Sequence, residues 1–137
     1  MYPPELVAPM RAELDQLGFS QTMSPEAVDA AVNLPGTVLM VLNSVCGCAA
    51  GSMRPGVRKS LQGSEKIPGN LVSAFAGVDQ EAVARARQYM LPYPPSSPCV
   101  ALFKDGKLMH MVERHHIEGR TADMIAEHLK MVYQEFC

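Results

Sequence analysis

Residues 37–42 read TVLMVL, an apolar stretch with no alternation of polar and apolar positions. A strand that is apolar on both sides must be covered on both sides, so this run predicts a central strand of a parallel or mixed sheet with helices above and below. It is far too short to cross a bilayer. The chain has 137 residues, 47% of them apolar, which is enough for one domain to bury a real core without staples. Directly after the run stands SVCGCAAGSMRP, in which Cys46 and Cys48 are separated only by Gly47. That pair is a redox centre, half of a metal site, or two small residues packed in a turn.

The rest of the chain supplies the layers. Val7, Met10, Leu14 and Leu17 share one face of a helix over 6–17 that Gly18 ends. Ser24 and Pro25 open a second helix that ends near Leu34. Residues 48–62 read as helical, bent or broken at Gly51 and Pro55-Gly56. NLVSAFA over 70–76 predicts a strand, and Asp79 caps a helix that stops before Pro92. PYPPSSP, over 92–98, is an extended loop. Residues 99–104 and 107–113 form a hairpin around Asp105-Gly106, and a last helix over 121–136 carries Ile125, Leu129, Val132 and Phe136.

After two leading helices the order is βαβαββα, which matches the minimal thioredoxin-like fold: an α/β domain with a four-stranded mixed sheet and helices on both faces. Residues 1–35 are expected as a helical extension and 36–137 as the core of one domain. The net charge is −2 and the basic residues form no run, so nothing points to nucleic acid. The start, MYPPEL, lacks the features of a signal peptide, and a soluble, cytoplasmic protein without membrane contact is expected. Four cysteines are too few for a disulfide scaffold.

A cysteine is a nucleophile as its thiolate, and the free N–H groups and partial positive charge of a helix start favour that anion. Cys46 is expected at such a start, with Arg54 and Arg58 in the following turns as possible additions to the field. A Cys46–Cys48 disulfide is geometrically hard. Positions i and i+2 of a helix point about 200° apart, and in a strand they lie about 6.6 Å apart. Gly47 with unusual dihedrals would relieve this, and the resulting strain would make the bond oxidising. Such a pair favours exchange with partners. Ser97-Pro98 precedes a strand, where an X-Pro bond can be cis. In thioredoxin-like proteins that proline faces the reactive cysteine. Arg114, His115, His116 and Arg120 lie near the start of the last helix, and Arg120 is expected to hold carboxylates of a small thiol.

Together SVCGCAAG with the following RP, PPSSP, RHHIEG and a terminal helix ending in cysteine resemble the bacilliredoxin family over nearly the whole chain. Ser52-Met53 departs from the Asn-Ala expected before Arg-Pro. The resemblance implies a thiol–disulfide oxidoreductase that removes bacillithiol, a low-mass thiol carrying a malate group, from mixed disulfides with protein cysteines. Some members of the family show disulfide isomerase activity. It further implies that Cys46 attacks, that Cys48 or free bacillithiol releases the adduct, and that Gly47, Ser97 and Pro98 contact substrate. The expected partners are S-thiolated cytosolic proteins and a low-mass thiol co-substrate, with no tightly bound cofactor and no metal.

Blander readings stand beside these. A Cys-x-Cys metal module is the rival class, although zinc favours four ligands in wider pairs and His115-His116 are adjacent. A thioredoxin-like docking module without turnover is another. Cys99 reads as a small buried strand residue before a resolving thiol. Cys137 is expected frayed and exposed. His110 and His128 read as surface or boundary residues, and Met10, Met40, Met90, Met109, Met111, Met124 and Met131 as core filler. Tyr89 and Tyr93 read as packing beside the proline loop.

Overall fold

A computed structural model describes residues 2–137. Its elements are α1 (Pro4–Asp15), β1 (Ser20–Gln21), α2 (Pro25–Val32), β2 (Thr37–Asn43), a π-helical turn (Ala49–Met53), α3 (Arg54–Gln62), β3 (Asn70–Phe75), α4 (Gln80–Tyr89), β4 (Cys99–Lys104), β5 (Lys107–Val112), a 3-10 turn (Arg114–His116) and α5 (Ala122–Phe136).

The sheet order is β1-β3-β2-β4-β5. Every residue of β2 is buried, as its unbroken apolar run requires. β2 pairs parallel with β3 and antiparallel with β4. The two faces divide β2 by alternate residues. Val38, Met40 and Leu42 meet α2 and α4, while Leu39 and Val41 meet the core shared by α1, α3 and α5. Asp105 and Gly106 both have positive φ, which closes the β4–β5 hairpin tightly.

The order βαβαββα and the helices on both faces hold, and the sheet gains a strand. β1 pairs with β3 through Ser20↔Val72 and Gln21↔Ser73, so the N-terminal segment is part of the sheet as well as a pair of helices. A two-residue polar strand has no alternation to betray it. Residues 48–62 do not simply bend. The wider π-helical turn carries the chain to Arg54, where α3 starts with Pro55 in its first turn, a position that needs no N–H. Gly56 lets α3 cross close to α5, since a Cβ there would stand 2.7 Å from Ile125 Cγ2 and 3.1 Å from the Ala122 carbonyl.

Two expectations about side chains are corrected. Met40, Met90 and Met111 are core residues, but Met109, Met124 and Met131 are exposed, because they fall outside the buried stripes of β5 and α5. Cys137 is half-buried instead of frayed. Its N–H donates to the Tyr133 carbonyl at 2.8 Å, and it packs on the core of the α5 face. No described helix is long and apolar enough to cross a membrane.

Candidate active site

Where β2 ends, the chain is held from below. Arg54 is 3% exposed and donates through Nη1 to Asn43 Oδ1 (2.8 Å) and the Ser44 carbonyl (3.0 Å), and through Nε to Glu13 (2.9 Å). Asn43 Oδ1 also accepts the Ser44 N–H at 2.9 Å. Arg54 is therefore a strut under the turn, and Arg58 is exposed on α3.

On this base Cys46 occupies the capping position of the helical segment. Its carbonyl accepts the N–H groups of Ala49 (3.0 Å) and Ala50 (3.2 Å), and its sulfur accepts the N–H of Cys48 at 3.3 Å. A side-chain acceptor on the second helical N–H is the usual geometry of a helix N-cap, here made with sulfur. Cys46 and Cys48 are half-buried free thiols and Gly47 is exposed. With both thiols free, Gly47 is not among the glycines of positive φ, and a Cβ on it would meet nothing within 4 Å. Its small size clears space beside the sulfur.

The two thiols are driven apart. The Cys48 thiol hydrogen-bonds to the Cys46 sulfur and lowers its pKa. Partial burial opposes this, and the Cys48 N–H, the Arg114 charge and the Ala49 N–H add to the lowering. Cys48 is raised, first by burial and then by its bond to Cys46 and the negative charge there. Divergent neighbours of this kind divide the roles of acid and nucleophile. Burial pushes the Cys99 thiol up to about 12, which removes it from the chemistry.

The β2–β4 register places Leu42 opposite Cys99, so Ser97-Pro98, joined by a cis peptide bond, runs beside the turn that carries Cys46. An open cleft of about 440 Å³ is lined by Tyr2, Ser44, Val45, Cys46, Ala76, Gly77, Arg87, Ser97 and Arg114. A second lobe of about 520 Å³ shares Arg87, Ser97 and Arg114 with it and extends over Pro94, Pro95 and Glu118. Cys46 and Ser97 thus line one cleft, with Gly47 and Cys48 following Cys46 in the chain and Pro98 following Ser97. Arg120 is not. It lines a separate small pocket with His116, Met124 and His128, and its carbonyl accepts from Ser52 Oγ at 2.6 Å. The cleft's basic residues are Arg114, from the 3-10 turn, and Arg87, which sequence reasoning missed. Arg87 follows buried Val83 by one helical turn, so it stands at the edge of the α4 core face.

The side chains spaced closely enough to hold a metal ion lie away from the two cysteines. Among the described residues the group of three donors close enough for an ion is Glu113, His115 and His116, and it includes neither Cys46 nor Cys48. His110 and His128 form a pair with Nε2 atoms 2.9 Å apart at the β5–α5 boundary.

Comparison with known proteins agrees with this geometry. A family profile described as "Disulphide isomerase" matches residues 2–137. The bacilliredoxin of Cytophaga hutchinsonii is 67% identical over 98% of this chain and 99% of that protein. The bacilliredoxin of Salinibacter ruber is 48% identical over 99% of this chain and 81% of that protein. Mitochondrial thioredoxin 3 of Saccharomyces cerevisiae, in its oxidized form, superposes with a TM-score of 0.59 over 87% of this chain and 96% of that one, at 14% identity. A mutant thioredoxin of Halobacterium salinarum gives 0.56 at 17% identity, again over 87% of this chain and 96% of that one. At such identities these two likenesses show the fold. With the relatives and the family profile, they establish that the chain is a thiol–disulfide oxidoreductase of thioredoxin-like fold and belongs to the bacilliredoxin family.

Proposed function

We propose that Cys46 removes a low-mass thiol, bacillithiol by the family resemblance, from mixed disulfides with protein cysteines in the cytoplasm. The observation that carries this reading is the Cys46 sulfur capping the helix start with the Cys48 N–H at 3.3 Å. The thiolate attacks the bacillithiol sulfur. A Cys46–bacillithiol bond forms, the bond to the protein cysteine breaks, and that cysteine leaves as a thiolate and takes a proton from water. A second bacillithiol thiolate then attacks the bacillithiol sulfur of the adduct, which leaves bacillithiol disulfide and frees the Cys46 thiolate. In the other route the Cys48 thiolate attacks the Cys46 sulfur, which releases bacillithiol as its thiolate and leaves a Cys46–Cys48 disulfide that a further pair of low-mass thiols reduces while becoming oxidised to their own disulfide.

Ser97 and Pro98 offer backbone to the substrate chain, and Gly47 leaves the approach to sulfur open. Cys99 plays no part in resolution, being fully buried. The description of the family as a disulphide isomerase supports a second reading, in which the same attack on a protein disulfide ends with a different pairing. A Cys-x-Cys metal module is disfavoured by the separation of the Glu113 cluster from the cysteines, and one tightly bound zinc per purified, reduced chain would overturn the redox role. The decisive test is trapping. Cys48→Ala is expected to accumulate a mixed disulfide on Cys46 in oxidant-stressed cells, identified by mass spectrometry, and Cys46→Ala to accumulate none. Equal trapping by both variants would reverse the assignment.

A further inference from the structure

We propose that His110 and His128 form a two-imidazole site for a divalent transition-metal ion that favours right-angled coordination, copper(II) or nickel(II), and that the ion pins the edge strand β5 to α5. The two Nε2 atoms stand 2.9 Å apart. The rings are tilted by 41° with centroids 5.0 Å apart, so their nitrogen edges face each other and the rings are not stacked. An ion with both nitrogens at about 2.05 Å and a right angle between them needs a spacing of about 2.9 Å, whereas the tetrahedral angle of zinc needs about 3.3 Å. The observed spacing is that of the right-angled ion. Two protein ligands leave the remaining positions to water, so a chelator removes this ion, unlike the metal of a closed four-ligand zinc centre.

Both ligands stand on regular elements. His110 pairs with Leu102 across the hairpin, and Leu102 belongs to the core that α5 covers, so His110 shares the α5 side of the sheet. His128 adjoins buried Leu129 at the border of the α5 stripe. β5 is the outer strand, and the contact between the rings is open to solvent. Burial and then the charge of His128 lower the His110 pKa, while burial and then the charges of His116 and Arg120 lower that of His128. Both rings are thus neutral at neutral pH. In the free pair one Nε2–H donates to the other Nε2, and moving that proton to Nδ1 gives the ion two lone pairs. Glu135, which acts on His110 in the opposite sense, adds negative charge beside the ion, and His116 and Arg120 oppose it. The site is separate from the redox centre. Leu102 pairs with Leu39, so the histidines are level with the middle of β2, whereas Cys46 follows its end. Neither histidine belongs to the Glu113, His115 and His116 group.

The test uses the full-length protein, stripped with EDTA, with its accessible thiols alkylated by iodoacetamide so that they do not compete for the ion. Copper(II), nickel(II) and zinc(II) chlorides are titrated in turn. Copper(II) is expected to bind at one ion per chain and to show the hyperfine coupling of two imidazole nitrogens in its electron paramagnetic resonance spectrum. It should also raise Tm progressively with its concentration, because it binds the folded chain. Zinc(II) should bind less tightly than copper(II). His110→Gln and His128→Gln should each weaken copper binding about tenfold or more, since even an outer partner of a metal ligand is worth that much. Each should also abolish the rise in Tm, measured against the same variant without metal so that a change in the fold's own stability cancels. His115→Gln should leave both readouts as in the wild type. Copper affinity that survives both histidine substitutions, or that is lost with His115→Gln instead, overturns the site. So does zinc(II) binding more tightly than copper(II), which would remove the right-angled geometry.

Discussion

At Cys46 a sulfur fills the position where a helix start usually takes an oxygen from serine, threonine or aspartate. The cap and the nucleophile are one atom, so the interaction that orders the turn also favours the thiolate. The main contribution is the Cys48 thiol, which is itself raised by burial and stays protonated as a donor. This division has a pH signature. Iodoacetamide labelling of Cys46 should reach half its maximal rate below the pH of an ordinary thiol. In Cys48→Ala that midpoint should rise, and in Arg114→Gln it should rise less and depend on salt. An unmoved midpoint in Cys48→Ala would show that Cys48 does not set the reactivity. Cys99 should stay unlabelled until denaturant is added. Only part of this was legible in the sequence. The spacing Cys-Gly-Cys announces the pair, and the apolar strand before it announces the helix start. Which cysteine donates depends on how each is buried, and the charge that favours the thiolate at Cys46 comes in part from Arg114, 68 and 66 positions further along the chain than Cys46 and Cys48. Arg87 was hidden for the same reason, since its meeting with Arg114 is made by the loop that returns from α4 to β4.

Among the elements, the strands were the most readable. β2, β3, β4 and β5 each show an apolar run bounded by Gly, Pro or Asp, and the observed spans differ from the expected ones by a residue at most. β1 was not readable, because two polar residues at a sheet edge are stabilised by their neighbour and not by a pattern of their own. The π-helical turn was equally hidden. Its five residues, AAGSM, look like ordinary helix, and the extra width follows from Arg54 being drawn under Ser44 while Ser52 is tied to the Arg120 carbonyl. Ser52 and Met53, standing where Asn-Ala was expected, thus have clear places: a tether to the loop before α5, and a fully buried core side chain. Arg54 is the element-scale strut. Arg54→Ala would remove the side-chain donor to the buried Ser44 carbonyl, take one of the two donors from Asn43 Oδ1 and open a cavity beside them. We expect a loss of ~2–4 kcal/mol in urea unfolding, together with slower exchange at Cys46. A loss below ~0.5 kcal/mol would mean that the strut is dispensable.

Across the whole molecule, β2 acts as a spacer between two thiols. Cys46 follows its C-terminal end. Cys137 lies by its first residue, where Thr37 and Lys104 face the sulfur and burial raises its pKa. Seven strand residues separate the two ends by roughly 20 Å, and a disulfide needs its Cα atoms within about 7 Å. An intramolecular Cys46–Cys137 bond is therefore impossible in the folded protein. Any such crosslink found after oxidation is a record of two molecules having met, one presenting its reactive pole and the other its opposite end. Repeated, that head-to-tail contact makes chains instead of closed pairs. On a non-reducing gel it would appear as a ladder that Cys137→Ser abolishes while the activity of each monomer is kept, so a ladder unaffected by that substitution would assign the crosslinks to other thiols.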